Sequence, residues 1–236
     1  MRTVVTIQAR LGSSRLPGKM LLPLGEFSVL EWVLRRVMNS TEADAVILAL
    51  PETAENDTLE KLADVIGCDV FRGSELDVLE RLTLSLRGYR PDTVVRVCAD
   101  RPLIDPSVLD DTVRLFNSRA RTNKSLDLAF SHKSGLGEAW PFGFGVEVLS
   151  FASLEWLDRS VTDQFEREHV TLHMWNNAEK FKIEALPCPS LYSRLGSEYK
   201  LDLDTADDLK KLRQIVATNE DITLPGHVFL ERVMKF

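Results

Sequence analysis

Cysteine and histidine are scarce in this sequence. Three cysteines, Cys68, Cys98 and Cys188, occur among 236 residues and form no CxxC pair. Any disulfide scheme leaves one of them unpaired, so we expect buried, reduced thiols. His169 and His173 stand four apart, which can place two imidazoles on one helix face, but the HExxH order and an evident third ligand are missing. The sequence therefore favours polar or core-edge histidines over a zinc site.

Long apolar runs are also missing. No stretch reaches the roughly 20 residues of a transmembrane helix, and the N-terminus leads at once into a strand-like run without the pattern of a signal peptide. We therefore expect a cytoplasmic protein with no membrane partner. The formal net charge of -7 repels nucleic acid in general, although a local basic cleft can still bind a small polyanion. We expect no nucleic-acid partner.

The common glycine signatures of nucleotide binding are absent as well. In QARLGSSRLPGK, residues 8–19, five residues separate Gly12 from Gly18, and Met20 follows Lys19, so the segment is not the nucleoside-triphosphatase loop. The dinucleotide fingerprint is missing too. The segment still gathers glycines, serines and three cations directly after the first strand, a composition that suits an anion. A solvated loop is the alternative interpretation.

Strand-like and helix-like segments alternate along the first half of the chain. The predicted strands are 3–9, 45–50, 69–71 and 93–98, and the predicted helices are 29–38, 57–66, 78–89 and 106–116. This rhythm predicts an α/β fold with a mostly parallel sheet flanked by helices. Such sheets bind ligands at the carboxyl ends of their strands.

The second half shows a looser pattern. It predicts strands at 126–131, 143–149, 180–186 and 199–203, helices at 151–159 and 206–216, and partly helical structure at 160–177. Thr205 is a candidate N-cap, and Asp207 and Asp208 follow in the first turn. We expect a single domain over residues 1–236, with an apolar C-terminal tail at 219–236 that packs on a neighbour or on the parent domain.

Acidic residues follow two of the predicted strands. Asp100 ends TVVRVCAD, and Asp202 and Asp204 alternate in LDLD, so on a strand their side chains would share one face. Mg²⁺ is typically held by one or two carboxylates plus substrate phosphates. Each cluster alone could be a cap or a turn. Together with the cationic loop they favour a magnesium and nucleotide site.

An ordered set of motifs now resembles a known family. IQARLGSSRLPGKMLLPLG, FRGSELDVLERL, ADRPLIDP, GFGVEVLS, FEREHVT and LDLDTADDL are similar to motifs of the cytidylyltransferases that activate sugars. The resemblance is to the spore-coat-polysaccharide type, related to the synthetases for CMP-sialic acid and CMP-KDO, and covers about residues 1–216. It implies a Rossmann-like nucleotide-diphospho-sugar transferase fold, a dimerisation and acceptor excursion at about 126–190, and a homodimer.

The resemblance also implies a reaction and residues for it. A sugar hydroxyl attacks the α-phosphate of CTP and pyrophosphate leaves, with Mg²⁺ as cofactor. The implied catalytic residues are Arg10, Lys19 and Asp100, and the implied metal ligands are Asp100, Asp202 and Asp204. The nucleotide would contact Gln8, Ala9, Arg10, Leu11, Gly12, Ser13, Arg15, Lys19, Arg72, Ser74 and Asp77. The acceptor would contact Arg101, Glu147, Arg167, Glu168 and His169.

Some of these roles compete with other interpretations. Arg72 and Ser74 are donors suited to cytosine, and Asp77 and Arg81 could brace that loop, but Ser74 is also a candidate helix cap. Arg167 would suit a sugar carboxylate through a two-point contact. Arg101 stands where the family commonly has cysteine in Gly-Asp-Cys-Pro, which leaves the acceptor open.

Three alternatives to a sugar cytidylyltransferase for surface polysaccharide or glycan synthesis stay open. The first is a nucleotidyltransferase that uses another nucleoside triphosphate. The second is a cytidylyltransferase for a non-sugar acceptor such as a phosphonate. The third is a catalytically silent nucleotide-binding scaffold whose apolar tail docks a partner enzyme.

Overall fold

The secondary structure follows the alternation that the sequence predicts. The computed structural model describes residues 1–122, 124–132, 140–193, 200–217 and 221–233. The strands are β1 Thr3–Gln8, β2 Pro23–Leu24, β3 Phe27–Ser28, β4 Ala45–Pro51, β5 Asp69–Gly73, β6 Thr93–Cys98, β7 Leu128–Phe130, β8 Glu147–Ser150 and β9 Ile183–Ala185. The helices are α1 Val29–Met38, α2 Asp57–Ile66, α3 Val78–Leu86, α4 Pro106–Ala120, α5 Phe151–Ser160, α6 Gln164–Glu168, α7 Leu172–Asn176, α8 Ser190–Ser193, α9 Ala206–Val216 and α10 Gly226–Val233.

Across the described residues, one sheet takes the strand order β5-β4-β1-β6-β8-β7-β9. The first four strands are parallel, β8 is antiparallel to both of its neighbours, and β9 is parallel to β7. The prediction of a mostly parallel sheet is confirmed. Gln8 is in register with Cys98, so the carboxyl ends of β1 and β6 lie side by side.

Helices cover both faces of the sheet. Because side chains alternate along a strand, Val5 and Val95 pack with α1 and α4 on one face. Val4 and Val94 pack with α3 and α5 on the other face. Gln8, Arg96 and Cys98 have the same parity as Val4 and Val94 and therefore project toward the α3 face.

The predicted excursion at 126–190 is part of the same sheet. It contributes β7, β8 and β9, which extend the sheet beyond β6, and it carries α5, α6 and α7. Residues 133–139 of this segment lie outside the described residues.

The predicted strand at 199–203 was wrong over the part that is described. Tyr199 lies outside the described residues, and Lys200 forms only an isolated bridge with Phe142. Two separate backbone bonds hold the segment instead, from Leu201 N to Phe142 O at 3.2 Å and from Leu203 N to Asp100 O at 2.8 Å. A continuous ladder does not form because these two bonds go to different parts of the chain.

The C-terminal segment packs on its own chain. Phe229 of α10 is fully buried and meets Trp32 edge-on, with ring centroids 5.8 Å apart. Gly226 N donates to Asp105 Oδ2 at 2.5 Å, and the buried Arg36 guanidinium donates to the carbonyls of Ile222 and Leu224. Residues 219, 220 and 234–236 of the predicted tail lie outside the described residues. In the described part of the chain, no helix has the length and apolar character to cross a membrane.

Candidate active site

A cavity of about 310 Å³ opens at the carboxyl ends of β1 and β6. Its walls come from the glycine-rich loop, the two strand ends, α3, the end of α6 and the segment before α9. It brings together these residues of the sequence prediction: Gln8, Ala9, Arg10, Gly12, Ser13, Arg15, Lys19, Asp100, Glu168, His169 and Asp204. Residues far apart in sequence therefore meet around one space.

The glycine-rich loop is anchored along its length. Leu11 does not line the cavity, but its N–H donates to the side chain of the buried Asn56 at 2.8 Å. Leu16 N donates to Ser13 Oγ, and Gly18 adopts a left-handed conformation with φ of 68°, which favours glycine. After it come a 3₁₀ turn at Lys19–Leu21 and the β2–β3 hairpin. The predicted long loop is thus largely built of turns.

Lys19 lies between two carboxylates of the cavity. Its Nζ is 3.8 Å from Asp100 Oδ2 and 3.4 Å from Asp204 Oδ1, and it donates to Leu203 O at 2.7 Å. The Lys19 side chain is only 13% exposed. The Leu203 N–H donates in turn to Asp100 O. One lysine and one backbone bond therefore hold the two acidic segments together.

Arg15 and Lys200 also contact Asp204. Arg15 Nη2 lies 3.0 Å from its Oδ1, and Lys200 Nζ lies 2.9 Å from its Oδ2. Partial burial favours the neutral acid, but Lys200, Lys19 and Arg15 outweigh it and hold the pKa of Asp204 below its usual value. Asp208 accepts from Asp204 N at 3.1 Å, which fixes the turn into α9. Asp204 is therefore an ionised carboxylate at the cavity wall.

The structure does not bring Asp202 into the cavity lining. Its Oδ1 is buried, has no hydrogen-bond partner in the described part of the chain, and lies 4.0 Å from Arg101 Nε. Burial raises the pKa of Asp202 to about 6. Arg101 also lies behind the cavity, where its Nη1 donates to Gly145 O. The segment is not a strand, so the alternation that predicted one shared face for Asp202 and Asp204 does not apply. The charges of Asp100 and Asp204 nevertheless act on Asp202.

The residues predicted to read the base lie outside the cavity. Arg72 is held by Asp57 at 3.0 Å and Glu60 at 2.5 Å, both on α2. Ser74 Oγ accepts from Asp77 N, and Asp77 is the N-cap of α3. The helix-start interpretation is therefore what is observed, with Asp77 rather than Ser74 as the cap.

Arg167 also has structural partners. Its Nε lies 2.7 Å from Asp77 Oδ2, its Nη2 lies 2.6 Å from Asp158 Oδ1, and its Nη1 donates to the carbonyls of Asp158 and Val161. These bonds join the start of α3 to the end of α5. Arg167 therefore links α3 to α5 and does not line the cavity.

Glu147 is buried at the start of β8 behind the cavity. It accepts from Arg96 Nη1 at 2.6 Å, Thr171 Oγ1 at 2.8 Å and Trp175 Nε1 at 3.0 Å. Burial would raise the pKa of Glu147, but the positive charge of Arg96 and the bond with His132 hold it well below the usual value. Glu147 is an ionised anchor for the side chains around it.

Six residues that line the cavity were not among the predicted contacts: Ser14, Met20, Arg81, Arg96, Cys98 and Ala99. Arg96 interrupts an otherwise apolar strand one position before Val97, and its Nε donates to Gln8 Oε1 at 2.9 Å. A charged side chain inside such a strand is the signal that could have identified it.

Comparisons with known proteins agree with this geometry. A sequence profile described as cytidylyltransferase matches residues 4–222. Spore coat polysaccharide biosynthesis protein SpsF of Bacillus subtilis is 30% identical over 215 residues, which cover 89% of this chain and 84% of that protein. A cytidylyltransferase structure from Leptospira borgpetersenii is 30% identical, with a TM-score of 0.89 and coverage of 100% of this chain and 94% of that one.

A more distant structure shares the fold. CMP:2-keto-3-deoxy-manno-octonic acid synthetase, solved in complex with CTP, has a TM-score of 0.69 at 16% identity and covers 92% of this chain and 99% of its own. The resemblance to sugar cytidylyltransferases is confirmed by the profile and by SpsF. The chain belongs to the cytidylyltransferase family and is a nucleotidyltransferase.

Proposed function

We propose that this enzyme transfers CMP from CTP to the hydroxyl of an acidic or otherwise modified sugar and releases pyrophosphate, for the synthesis of a surface polysaccharide or glycan. The observation that carries the proposal is the position of Lys19 between Asp100 and Asp204, at a cavity lined by the glycine-rich loop. Phosphoryl-type transfer depends mainly on positioning and on cations that absorb negative charge. This arrangement supplies both.

The donor set fits a divalent ion, which we propose to be Mg²⁺. Asp100 and Asp204 would hold it, since both are carboxylates at the cavity wall and hard oxygen ligands suit this ion. Asp202 is left out of the proposed set because it does not line the cavity. A bound magnesium ion supplies positive charge that neutralises phosphate oxygens.

The chain's own cations would bind the triphosphate. Arg10 and Arg15 are half-exposed or more at the cavity mouth, and the backbone at Gly12 and Ser13 lines the same wall. Arg10 contacts Glu168 at 3.4 Å, but both side chains are nearly half exposed, so this ion pair is weak and a phosphate can replace it. Lys19 would neutralise the charge that grows on the phosphates during transfer.

The acceptor would lie against the α6 side of the cavity. Glu168 and His169 line that wall, and Phe165 meets His169 edge-on with ring centroids 4.5 Å apart. We do not propose Arg101, Glu147 and Arg167 as acceptor contacts. Their side chains bond to neighbouring segments of the chain instead. The proposed acceptor contacts are therefore fewer than the sequence predicted.

Pyrophosphate release tests the proposal. The purified protein would be incubated with Mg²⁺, with CTP, UTP, ATP or GTP, and with acidic sugars, neutral sugars and a phosphonate. Turnover with CTP and a sugar supports the proposal. Turnover with another nucleotide instead of CTP contradicts the proposed base, and turnover with only the phosphonate contradicts the proposed sugar acceptor. Absence of turnover in every combination contradicts the activity. Thermal shifts separate binding from catalysis, because a ligand at 100 times its Kd adds about 2.7 kcal/mol of stability.

We also propose that the enzyme is a cytoplasmic homodimer, on the strength of the family resemblance. Sedimentation at several protein concentrations tests the oligomeric state directly, since the chain has a mass of 26.7 kDa. A species of twice that mass supports the dimer. A monomer at the concentrations used in the activity assay contradicts it.

A further inference from the structure

Two arginines at the floor of the cavity have nitrogens without a hydrogen-bond partner among the residues that the structure describes. Arg81 on α3 is 2% exposed, and Arg96 lies on β6; both line the cavity. Arg81 Nη1 donates to Ser74 O, and Arg96 donates through Nε to Gln8 and through Nη1 to Glu147. Within the described ranges, neither Nη2 has a hydrogen-bond partner. Each Nη2 is therefore available to a molecule in the cavity.

Arg96 is fixed by bonds through its Nε and Nη1, and its Nη2 has no partner in the described part of the chain. Glu147, which binds Arg96 Nη1 at 2.6 Å, is itself fixed by Thr171 and Trp175. Gln8 Oε1 fixes the Nε side at 2.9 Å. Because the guanidinium is planar, two fixed nitrogens also fix the direction of the third. A group that binds Nη2 needs little further ordering of the protein.

Arg81 is a buried cation with no salt bridge among the described residues, and its Nε is buried without a partner there. Burial and the nearby charge of Arg10 lower the pKa of Arg81 to about 10, against the opposing charges of Glu75 and Asp77, so it remains charged at neutral pH. A buried charge that is only partly compensated is costly. A bound anion would offset that cost.

Arg81 and Arg96 do not share the carboxylates of the loop cations. Arg15 and Lys19 contact Asp204, whereas Arg96 pairs with Glu147. The charge of Arg10 reaches Arg81. The triphosphate is therefore the competing ligand for the two arginines, and the substitutions below distinguish it from the acceptor.

We propose that Arg81 and Arg96 bind the carboxylate of an acidic acceptor sugar. The inference rests on the proposed function, because it assigns the floor of the same cavity to the acceptor. Each Nη2 can donate to a carboxylate oxygen, and charge-assisted bonds of this kind are strong. In this proposal Arg81 and Arg96 bind the sugar carboxylate, which was the predicted role of Arg167.

Calorimetry with matched acids and esters tests the inference without turnover. The probes are 3-deoxy-manno-octulosonate, N-acetylneuraminate and glucuronate, each compared with its methyl ester, in the presence of CTP and without a divalent ion. The native protein should bind at least one acid about tenfold more tightly than its ester. Equal binding of acid and ester throughout the panel, including no binding of either, overturns the inference.

Substitutions test whether Arg81 and Arg96 cause the preference for acid over ester. In Arg96→Met and in Arg81→Met, the preference for acid over ester should fall to about twofold or less, while the Kd for CTP changes by less than about twofold. Arg119→Met, which removes a partly exposed arginine paired with Glu184 away from the cavity, should leave the preference intact. A parallel loss of CTP and acid binding assigns the arginines to the triphosphate and overturns the inference.

A double substitution separates binding from folding. Arg96→Met alone leaves buried Glu147 without its arginine, so Arg96→Met/Glu147→Gln removes both charges together. A folded double variant that binds CTP but not the acid supports the inference, and one that keeps the acid preference overturns it. Failure of pyrophosphate release from every triphosphate would instead contradict the proposed function, since the binding measurement needs no reaction.

Discussion

Lys19 Nζ lies 3.4 Å from Asp204 Oδ1 and donates to the carbonyl of Leu203, the residue before it, at 2.7 Å. This relationship joins a turn near the N-terminus to a segment that enters α9. The same ammonium group lies 3.8 Å from Asp100 Oδ2. Lys19 therefore contacts all three parts of the chain that carry the proposed chemistry.

Asp204→Asn should lower kcat by about a hundredfold or more while the fold is preserved, because it removes a proposed metal ligand and a full negative charge. The measurement is steady-state pyrophosphate release together with thermal unfolding. Asp207→Asn, which changes an exposed carboxylate in the first turn of α9, is the matched control and should keep native activity. Activity within threefold of native in Asp204→Asn would exclude the proposed role.

Lys19→Gln should reduce kcat about a hundredfold with a smaller effect on the KM for CTP, because Lys19 is assigned to charge that grows during transfer. Lys19→Arg retains the charge and should recover part of the rate. Both variants would be assayed at saturating CTP and compared by thermal unfolding. A rate loss that matches the loss of folded protein would assign Lys19 a structural role only.

Arg167→Met should destabilise the protein by about 2–3 kcal/mol, because it leaves Asp77 and Asp158 without their charged partner. The KM for the acceptor should stay unchanged. Urea unfolding and acceptor kinetics test the two statements separately. Arg159→Met, at an exposed position of α5, provides the control. A raised KM for the acceptor with native stability would support the predicted contact between Arg167 and the acceptor.

Asp105 should make stability sensitive to acid. Burial favours its neutral form, but hydrogen bonds from Tyr192, Ser107 and Gly226 outweigh this and lower its pKa from the usual 3.8. A carboxylate with a depressed pKa stabilises the fold above its unfolded pKa, and that contribution is lost as the pH falls through its folded pKa.

The stability difference between native protein and Asp105→Asn should therefore be constant from pH 7 to about pH 5 and should shrink below pH 3.8. Urea unfolding at a series of pH values measures it. Because Asp105 accepts from Gly226 N, the variant should also loosen α10, seen as faster hydrogen exchange around Phe229. A difference that grows toward low pH would contradict the assignment of an ionised Asp105.

The elements and the cationic loop could be predicted because they depend on local patterns. Alternating β-branched runs and helical periods located β1, β4, β5 and β6, and the cations between Arg10 and Lys19 predicted an anion-binding loop. The position of Asp100 at the cavity could be predicted because a carboxylate that follows a parallel strand lies at the ligand edge of the sheet. Each of these features can be predicted from its own segment of the sequence and a general rule.

Other features depend on long-range contacts that the sequence does not encode locally. Asp202 faces Arg101 because backbone bonds to Asp100 and Phe142 set the path of its segment. Arg72 and Arg167 have long side chains, and which carboxylates they reach is set by how α2, α3 and α5 pack. The roles of such residues could be proposed from motif position, but their partners could not.

The most direct test of the account is the position of a divalent ion in crystals grown with CTP and Mn²⁺, read from anomalous scattering. The account predicts a manganese peak that contacts Asp100, Asp204 and the phosphates of CTP, with the glycine-rich loop against the triphosphate. A peak at Asp202, or CTP bound outside the cavity between Lys19 and Asp100, would contradict it.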